Sequence, residues 1–356
     1  MTGENKTLLQ PIFVTGYMHS GTTLVQTVLG NNDKVFISGG ETRHFSHLPI
    51  IKQKFPDLDD DQILHDYIIY LLQVICTGYA RVNYLAEDTN PMRLLTECGL
   101  SESDLQQLMA VARTNRDYAT LLGDVYEYLT LKAGKERWLD KSPSYITILD
   151  KIFSNYPDAC VIEMVRDPRD ILASKLRRSK GQGNYDPVWD SLSWRAAVHA
   201  GDNARQQYPG KIMRVRYEDL VADPQSAARL LCEFLDLPFV DSMLSVNWIN
   251  TSIEGLESQG IGTGAMGKWR ETLPASDVYI CQQLTKREMV ENNYPRERIP
   301  SAARLKSPII LGRSAGEFVS RLYKQWSVGG KTQLLNVFDG YRVRLKALNG
   351  SKSTKT

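Results

Sequence analysis

The stretch GYMHSGTTL, Gly16 to Leu24, constrains the fold more than any other part of the 356-residue chain. It follows IFVT (12–15), a continuous apolar, β-branched run bounded by Pro11 and Gly16, which reads as a buried parallel strand. Thr22 to Leu29 then has helical character, and Gly30-Asn31-Asn32 stops it. In a strand, glycine turn and helix so joined, successive backbone N–H groups and a helix N-terminus cradle an anion. Gly16 and Gly21, with four residues between them, have the frame of a phosphate loop, but Thr22 stands where a kinase-type loop carries lysine. That lysine serves the β- and γ-phosphates, so its replacement counts against ATP or GTP hydrolysis. Alone, the loop is equally a plain strand–turn–helix with Ser20, Thr22 and Thr23 as capping residues.

The rest of the chain sets the loop in a larger α/β pattern. RWLDKSP, ACVIEMVRDPRD and KIMRVRYEDL each read as a strand ending in charged residues, with helices such as YITILDKIFSNYP between them. Strands alternating with helices predict a P-loop-like, three-layer α/β fold with a mostly parallel sheet. Residues 57–133 are helical in pattern and form an insert within a domain spanning 1–300. Residues 301–356 hold eleven Lys/Arg against two Asp/Glu, a charge of +9 that leaves −7 for the preceding 300. This basic C-terminal extension ends in NGSKSTKT, which reads as disordered.

Two further clusters carry chemistry. VRDPRDILAS (165–174) delivers Arg166 to the C-terminal edge of the sheet, where open α/β folds bind ligands, and places Ser174 on the next helix. The pair can grip a phosphate, although Arg166 can equally pair with Asp167 or Asp170 in a turn. GTGAMGKWRETLP (262–274) combines Gly262, Gly264 and Gly267 with Lys268, Trp269 and Arg270. It reads either as a loop that folds over nucleotide phosphates, with Trp269 covering a base, or as an ordinary surface loop.

Taken together, PIFVTGYMHSGTTL, VRDPRDILAS and GKWRETL, with VRYEDLVADP between the last two, resemble the sulfotransferases that use 3′-phosphoadenosine 5′-phosphosulfate (PAPS). The resemblance covers residues 11–275, about three quarters of the chain. It implies that His19, Ser20, Gly21, Thr22, Thr23 and Leu24 bind the 5′-phosphosulfate, and that Arg166 and Ser174 bind the 3′-phosphate. It implies that Tyr217 packs near the adenosine phosphate end, and that Gly264, Gly267, Lys268, Trp269 and Arg270 close over the 3′-phosphate. PAPS is then the sulfuryl donor and PAP the product, with no metal required. The segment GGETRHF resembles one in tyrosylprotein sulfotransferases whose Glu is the general base, which points to Glu41, with Arg43 holding the base or the acceptor. His44 and His47 compete for that role. WLDKSPSYI resembles the segment that supplies a second lysine, which makes Lys141 a stabiliser of the transferring group, with Asp140 a helper or a turn residue. One position departs from the pattern: relatives carry Lys or Arg where this chain has His19. Histidine has an ordinary pKa of ~6.5, and a bound anion should raise it and keep His19 protonated.

The resemblance leaves the acceptor hydroxyl open among a saccharide or glycolipid, peptide tyrosine, and a small phenol or alcohol; we favour the first. The insert is the expected acceptor wall, with Tyr67, Tyr70, Tyr79, Arg81, Tyr84, Tyr118, Tyr126 and Tyr128. A P-loop ATP-dependent kinase and a non-catalytic nucleotide-binding protein are the rival readings. Five dispersed cysteines read as reduced thiols, and the start of the sequence lacks an apolar leader, which points to a cytoplasmic protein with no nucleic-acid partner. GEFVSRLYKQW and LLNVFDGYRVRLKAL set apolar residues against Arg and Lys, a pattern that suits a helical cover or peripheral contact with a membrane surface.

Overall fold

The computed structural model of the protein describes residues 10–78, 91–179, 185–249, 257–259 and 261–320. Tyr79, Arg81, Tyr84, most of the basic extension and its expected disordered end lie outside these residues.

Five parallel strands form the central sheet: β1 (Ile12–Gly16), β2 (Val35–Ile37), β3 (Arg137–Lys141), β4 (Cys160–Val165) and β5 (Ile212–Arg216). Their order is β2-β3-β1-β4-β5, which puts β1 at the centre. Strand periodicity decides what each face buries. Phe13 packs edge-on against Trp138 at 5.4 Å on one face, in a core that includes Tyr126, Tyr145 and Val161. Ile12 and Val14 point the other way, onto Val25, Val28, Leu29, Leu139 and Ile162. Both faces of the sheet are therefore covered, as a parallel sheet requires.

The helix α1 (Thr22–Gly30) follows β1 and lies on the second face. The first face is covered largely by α2 (His44–Lys54) and the insert, built from α3 (Asp61–Thr77), α4 (Pro91–Glu97), α5 (Glu102–Ala112) and α6 (Tyr118–Lys132). Local signals start these helices. Asp60 and Asp117 each accept two backbone N–H groups, and Ser101 with Asp104 forms a capping box. Next come α7 (Leu149–Asn155), α8 (Pro168–Arg178) and α9 (Pro187–Gln207), the last two with proline in the first turn. Ala197 and Ala204 of α9 return to the first face, opposite α1. The helices that leave β1 and β4 thus diverge, and a crevice opens at the C-terminal ends of these two strands, where ligands bind in open α/β sheets. The chain continues through α10 (Tyr217–Ala222), α11 (Pro224–Leu235), a short antiparallel ribbon of Asn247–Ile249 with Glu257–Gln259, and α12 (Trp269–Thr272). Among the described residues no helix is long and apolar enough to cross a membrane.

Candidate active site

Five segments meet at the crevice, and each is aimed by its strand end. The loop after β1 is the tightest. Gly16 has φ +144° and Gly21 has φ +96°, backbone conformations that L side chains rarely adopt. Neither has room for a side chain: a Cβ on Gly16 would lie 2.3 Å from the Met164 carbonyl oxygen, and one on Gly21 would lie 2.5 Å from Cδ2 of Tyr217. The loop is braced from below, where the Ser20 hydroxyl donates to the Tyr17 carbonyl at 2.5 Å and the Tyr17 hydroxyl donates to Asp190 at 3.1 Å.

Arg166, just past β4, closes one side. Its guanidinium stacks on the Tyr217 ring at 4.3 Å and donates to the carbonyls of His19 (3.2 Å) and Ala265 (2.6 Å). Neither carboxylate considered in the sequence engages it by a hydrogen bond: Asp167 binds Arg169 at 2.6 Å, and Asp170 accepts the N–H groups of Gly267 (2.8 Å) and Trp269 (3.1 Å). Its Nε is buried and has no hydrogen-bond partner. A buried guanidinium with carbonyl neighbours and a spare donor suits a dianionic oxygen cluster. Ser174 is buried in the second turn of α8.

Glu41 closes the other side. Its carboxylate accepts from Arg43 Nε at 2.8 Å and from Lys141 Nζ at 3.2 Å. Burial alone would raise its pKa, but Lys141 and then Arg43 outweigh it and hold the carboxyl below its ordinary value of 4.5. Arg43 has φ +51° and its N–H donates to the Ser142 hydroxyl at 2.9 Å, which turns the chain sharply after Glu41. His19 has φ +65°, so two of the four non-glycine residues with positive φ among those described face this crevice. Such backbone strain is held in place only by surrounding contacts.

The electrostatics join the two sides. His19 is pushed down to about 4 by burial, then by Arg178, Lys175 and Arg166, with Glu41 acting in the opposite sense. The protein's own groups therefore keep His19 neutral near neutral pH, contrary to a fixed positive charge at this position. Arg178 and Lys175 add to the positive field at His19, Lys175 while ion-paired with the buried Asp190; neither was singled out in the sequence, where they read as helix C-terminal charges complementing the dipole. Their spacing from Ser174, one and four residues, was the available signal.

Several sequence expectations meet a different environment. His44 is 1% exposed, lies edge-on to Phe45 at 5.3 Å, and has its ordinary pKa pushed down to about 4 by burial. It points into the core and not toward the crevice. Trp269 is 4% exposed and sandwiched between Arg169 (4.1 Å) and Arg270 (4.5 Å), so it anchors its loop and has no free face for a base. Arg270 turns away to Glu297, and the exposed Lys268 lies 3.5 Å from Glu271. Tyr67 and Tyr126 are fully buried in the first-face core, and the Tyr128 hydroxyl donates to Asp104 at 2.6 Å, so these three are framework residues.

Asp140 explains how Glu41 and Arg43 are placed. It is fully buried, and burial pushes its carboxyl up to about 6 despite hydrogen bonds from Thr42 (2.7 Å) and Tyr145 (3.1 Å). Thr42 lies between Glu41 and Arg43, so this buried network fixes the turn from beneath.

A three-layer parallel α/β fold with an anion cradle at its topological switch point defines a nucleotide-phosphate-binding class of protein. The sequence profile described as the sulfotransferase family matches residues 11–241, and the chain belongs to that family. It is 30% identical over 111 residues to a putative protein-tyrosine sulfotransferase of Caenorhabditis elegans, covering 30% of this chain and 43% of that protein. It is 29% identical over 175 residues to carbohydrate sulfotransferase 1 of Rattus norvegicus, covering 42% of each chain. The chain thus spans about two fifths of these relatives' length, and a third of a 23% identical Aquifex aeolicus protein, of which it covers 32%. The sulfotransferase domain from the curacin biosynthetic pathway shares the fold, with a TM-score of 0.52 and 21% identity over 82% of this chain and 100% of that one.

Proposed function

We propose that the protein transfers a sulfuryl group from PAPS to an acceptor hydroxyl, with Glu41 as general base. The observation that carries this reading is the pairing of Glu41, clamped by Arg43 and Lys141, with a glycine cradle whose His19 carbonyl is held by Arg166, in a field to which Arg178, Lys175 and Glu41 all contribute. PAPS supplies the sulfuryl group and leaves as PAP. His19 to Leu24 hold the 5′-phosphosulfate through loop N–H groups and hydroxyls. Arg166 and Ser174 hold the 3′-phosphate, Tyr217 packs near the adenosine phosphate end, and the loop with Gly264, Gly267 and Lys268, anchored by Trp269 and Arg270, covers the 3′-phosphate. Glu41 accepts the acceptor's proton. Cations aimed at the departing phosphate offset the charge that develops there. Lys141 has two anionic claims on it, Glu41 and the group in the cradle. Any shift of its charge toward the cradle removes the leading influence that lowers Glu41, and so makes Glu41 a stronger base where one is needed.

The acceptor we propose is a saccharide or glycolipid hydroxyl, supported by the carbohydrate sulfotransferase likeness over 175 residues. Peptide tyrosine is the second reading, supported by the protein-tyrosine sulfotransferase likeness and by the Glu41 segment. Radiolabelled PAPS offered with oligosaccharide and with acidic tyrosine peptide in parallel separates the two.

The donor reading has a direct test. PAP at a hundredfold excess over its Kd should raise Tm by roughly 5 °C, while ATP with Mg²⁺ should do much less. A shift with ATP–Mg²⁺ and none with PAP overturns the reading in favour of a phosphotransferase.

His19 yields a second expectation. Its pKa is depressed by the protein, so between about 4 and 6.5 it is neutral in the folded chain and protonated in the unfolded one. It therefore contributes stability above pH 6.5 that is lost as pH falls toward 4. An anion in the cradle reverses the local field and raises the pKa, so PAP binding at pH 6 should take up a fraction of a proton at His19. Calorimetry in buffers of different ionisation enthalpy should show greater uptake in the wild type than in His19→Gln. Equal uptake in the two would mean that His19 stays neutral when PAP is bound.

A further inference from the structure

We infer that Cys76 and Cys98 are a redox-modification site, a dithiol that closes to a reversible intrachain disulfide and thereby loosens the segment that carries Glu41. Cys76 lies in the last turn of α3 and Cys98 directly follows α4, and both thiols are half-buried. The two thiols lie close enough to perturb one another's ionisation. The Cys98 sulfur also lies 4.0 Å from the Leu72 carbonyl, the group to which the Cys76 amide donates within α3. Both sulfurs are thus gathered at one helix turn. They line a cavity of about 470 Å³ behind β2, together with Phe36, Gly39, Leu129 and Lys132, which admits a small oxidant. Cys76 lowers the pKa of Cys98, which makes Cys98 the attacking thiolate.

The oxidant is a hydroperoxide, and the electrons balance. The Cys98 thiolate attacks the terminal peroxide oxygen and becomes a sulfenic acid as the O–O bond breaks and water or an alcohol leaves. The Cys76 thiol then attacks the sulfenic sulfur, the S–S bond forms, and the sulfenic oxygen leaves as water. The two thiols lose two electrons in total and the peroxide gains them.

The link to Glu41 is backbone contact. The Gly39 N–H donates to the Ile75 carbonyl at 2.8 Å. Gly39 is packed so closely that a Cβ there would lie 2.2 Å from the Cys76 carbonyl oxygen. A Cβ on Gly78 would likewise lie 2.7 Å from Cα of Gly40. A single residue, Gly40, therefore separates the segment in contact with α3 from Glu41. Drawing Cys76 toward Cys98 pulls this turn away from Gly39.

The test does not depend on catalysis, so it stands apart from the sulfotransferase reading. The full chain is treated with hydrogen peroxide, and thiols are counted and mapped by mass spectrometry. The expected result is a fall from five free thiols to three, a Cys76–Cys98 cross-link, and recovery of all five with dithiothreitol. Hydrogen exchange at the Gly39 amide should quicken roughly tenfold in the oxidised protein and return on reduction. Cys98→Ser should show neither change, and Cys76→Ser should leave Cys98 to overoxidise without a cross-link. Five thiols persisting in the wild type, or a different cross-link, overturns the site. A Cys76–Cys98 bridge with unchanged exchange at Gly39 overturns the coupling to Glu41.

Discussion

Glu41→Gln should lower the rate of sulfuryl transfer by about 100- to 10,000-fold while leaving PAP affinity within a few fold of the wild type. Glutamine keeps the shape of the side chain but removes the proton acceptor. The neighbouring cations make this substitution informative. Arg43 and Lys141 both hydrogen-bond the carboxylate, so a purely structural Glu41 would show its loss as instability, through a buried Lys141 deprived of its partner. A catalytic Glu41 shows it in kcat instead. The pH profile supplies an independent check. Lys141 and Arg43 hold the carboxyl below its ordinary value of 4.5, so the base is ionised across the neutral range. In kcat/KM, which reports the free enzyme, the Glu41-dependent part should be lost only as pH falls below about 4.5, and the limb should be missing in Glu41→Gln. If the variant keeps the wild-type rate with saccharide and tyrosine acceptors alike, Glu41 is not the base.

What the sequence revealed and concealed follows from locality. The β1–loop–α1 unit was legible because its parts are consecutive: an apolar run, two glycines, hydroxyl residues and a helix stop. Strand ends were legible for the same reason, which is why Arg166 could be picked out, whereas Lys141 was picked out by the resemblance of its segment to relatives. Their meeting depends on the order β2-β3-β1-β4-β5, set by long-range packing of alternate strand residues onto two cores that no local window contains. Glu41 and His44, three residues apart, looked like rivals for one role. The left-handed turn at Arg43 and the buried Asp140–Thr42 bond separate them, leaving Glu41 at the crevice and His44 in the core. Likewise Trp269 beside two cations suggested a lid, whereas Asp170 holds its amide and two guanidiniums take its faces. Charge patterns were the least legible. Lys175 and Arg178 end a helix, where cations are ordinary, and only the fold brings their charge to bear on His19.

Arg166→Ala should weaken PAP binding by about 100- to 1,000-fold, and the loss should depend on the ligand's 3′-phosphate. Arg166 does three things at once: it stacks on Tyr217, it ties the carbonyls of His19 and Ala265 together, and it keeps one buried donor unused. A merely structural Arg166 would affect every nucleotide alike, because loosening the two loops disturbs the whole cradle. An Arg166 that reads the 3′-phosphate should instead abolish the preference for PAP over adenosine 5′-phosphate, leaving the weaker ligand nearly unaffected. Arg166→Lys refines the comparison. Lysine keeps the charge but can neither stack flat on Tyr217 nor reach two carbonyls and a phosphate with a rigid planar fork. We therefore expect the lysine variant to recover only a minor part of the lost affinity. Full recovery would assign the role to charge alone, and an unchanged PAP-to-adenosine 5′-phosphate ratio in Arg166→Ala would remove Arg166 from the 3′-phosphate site.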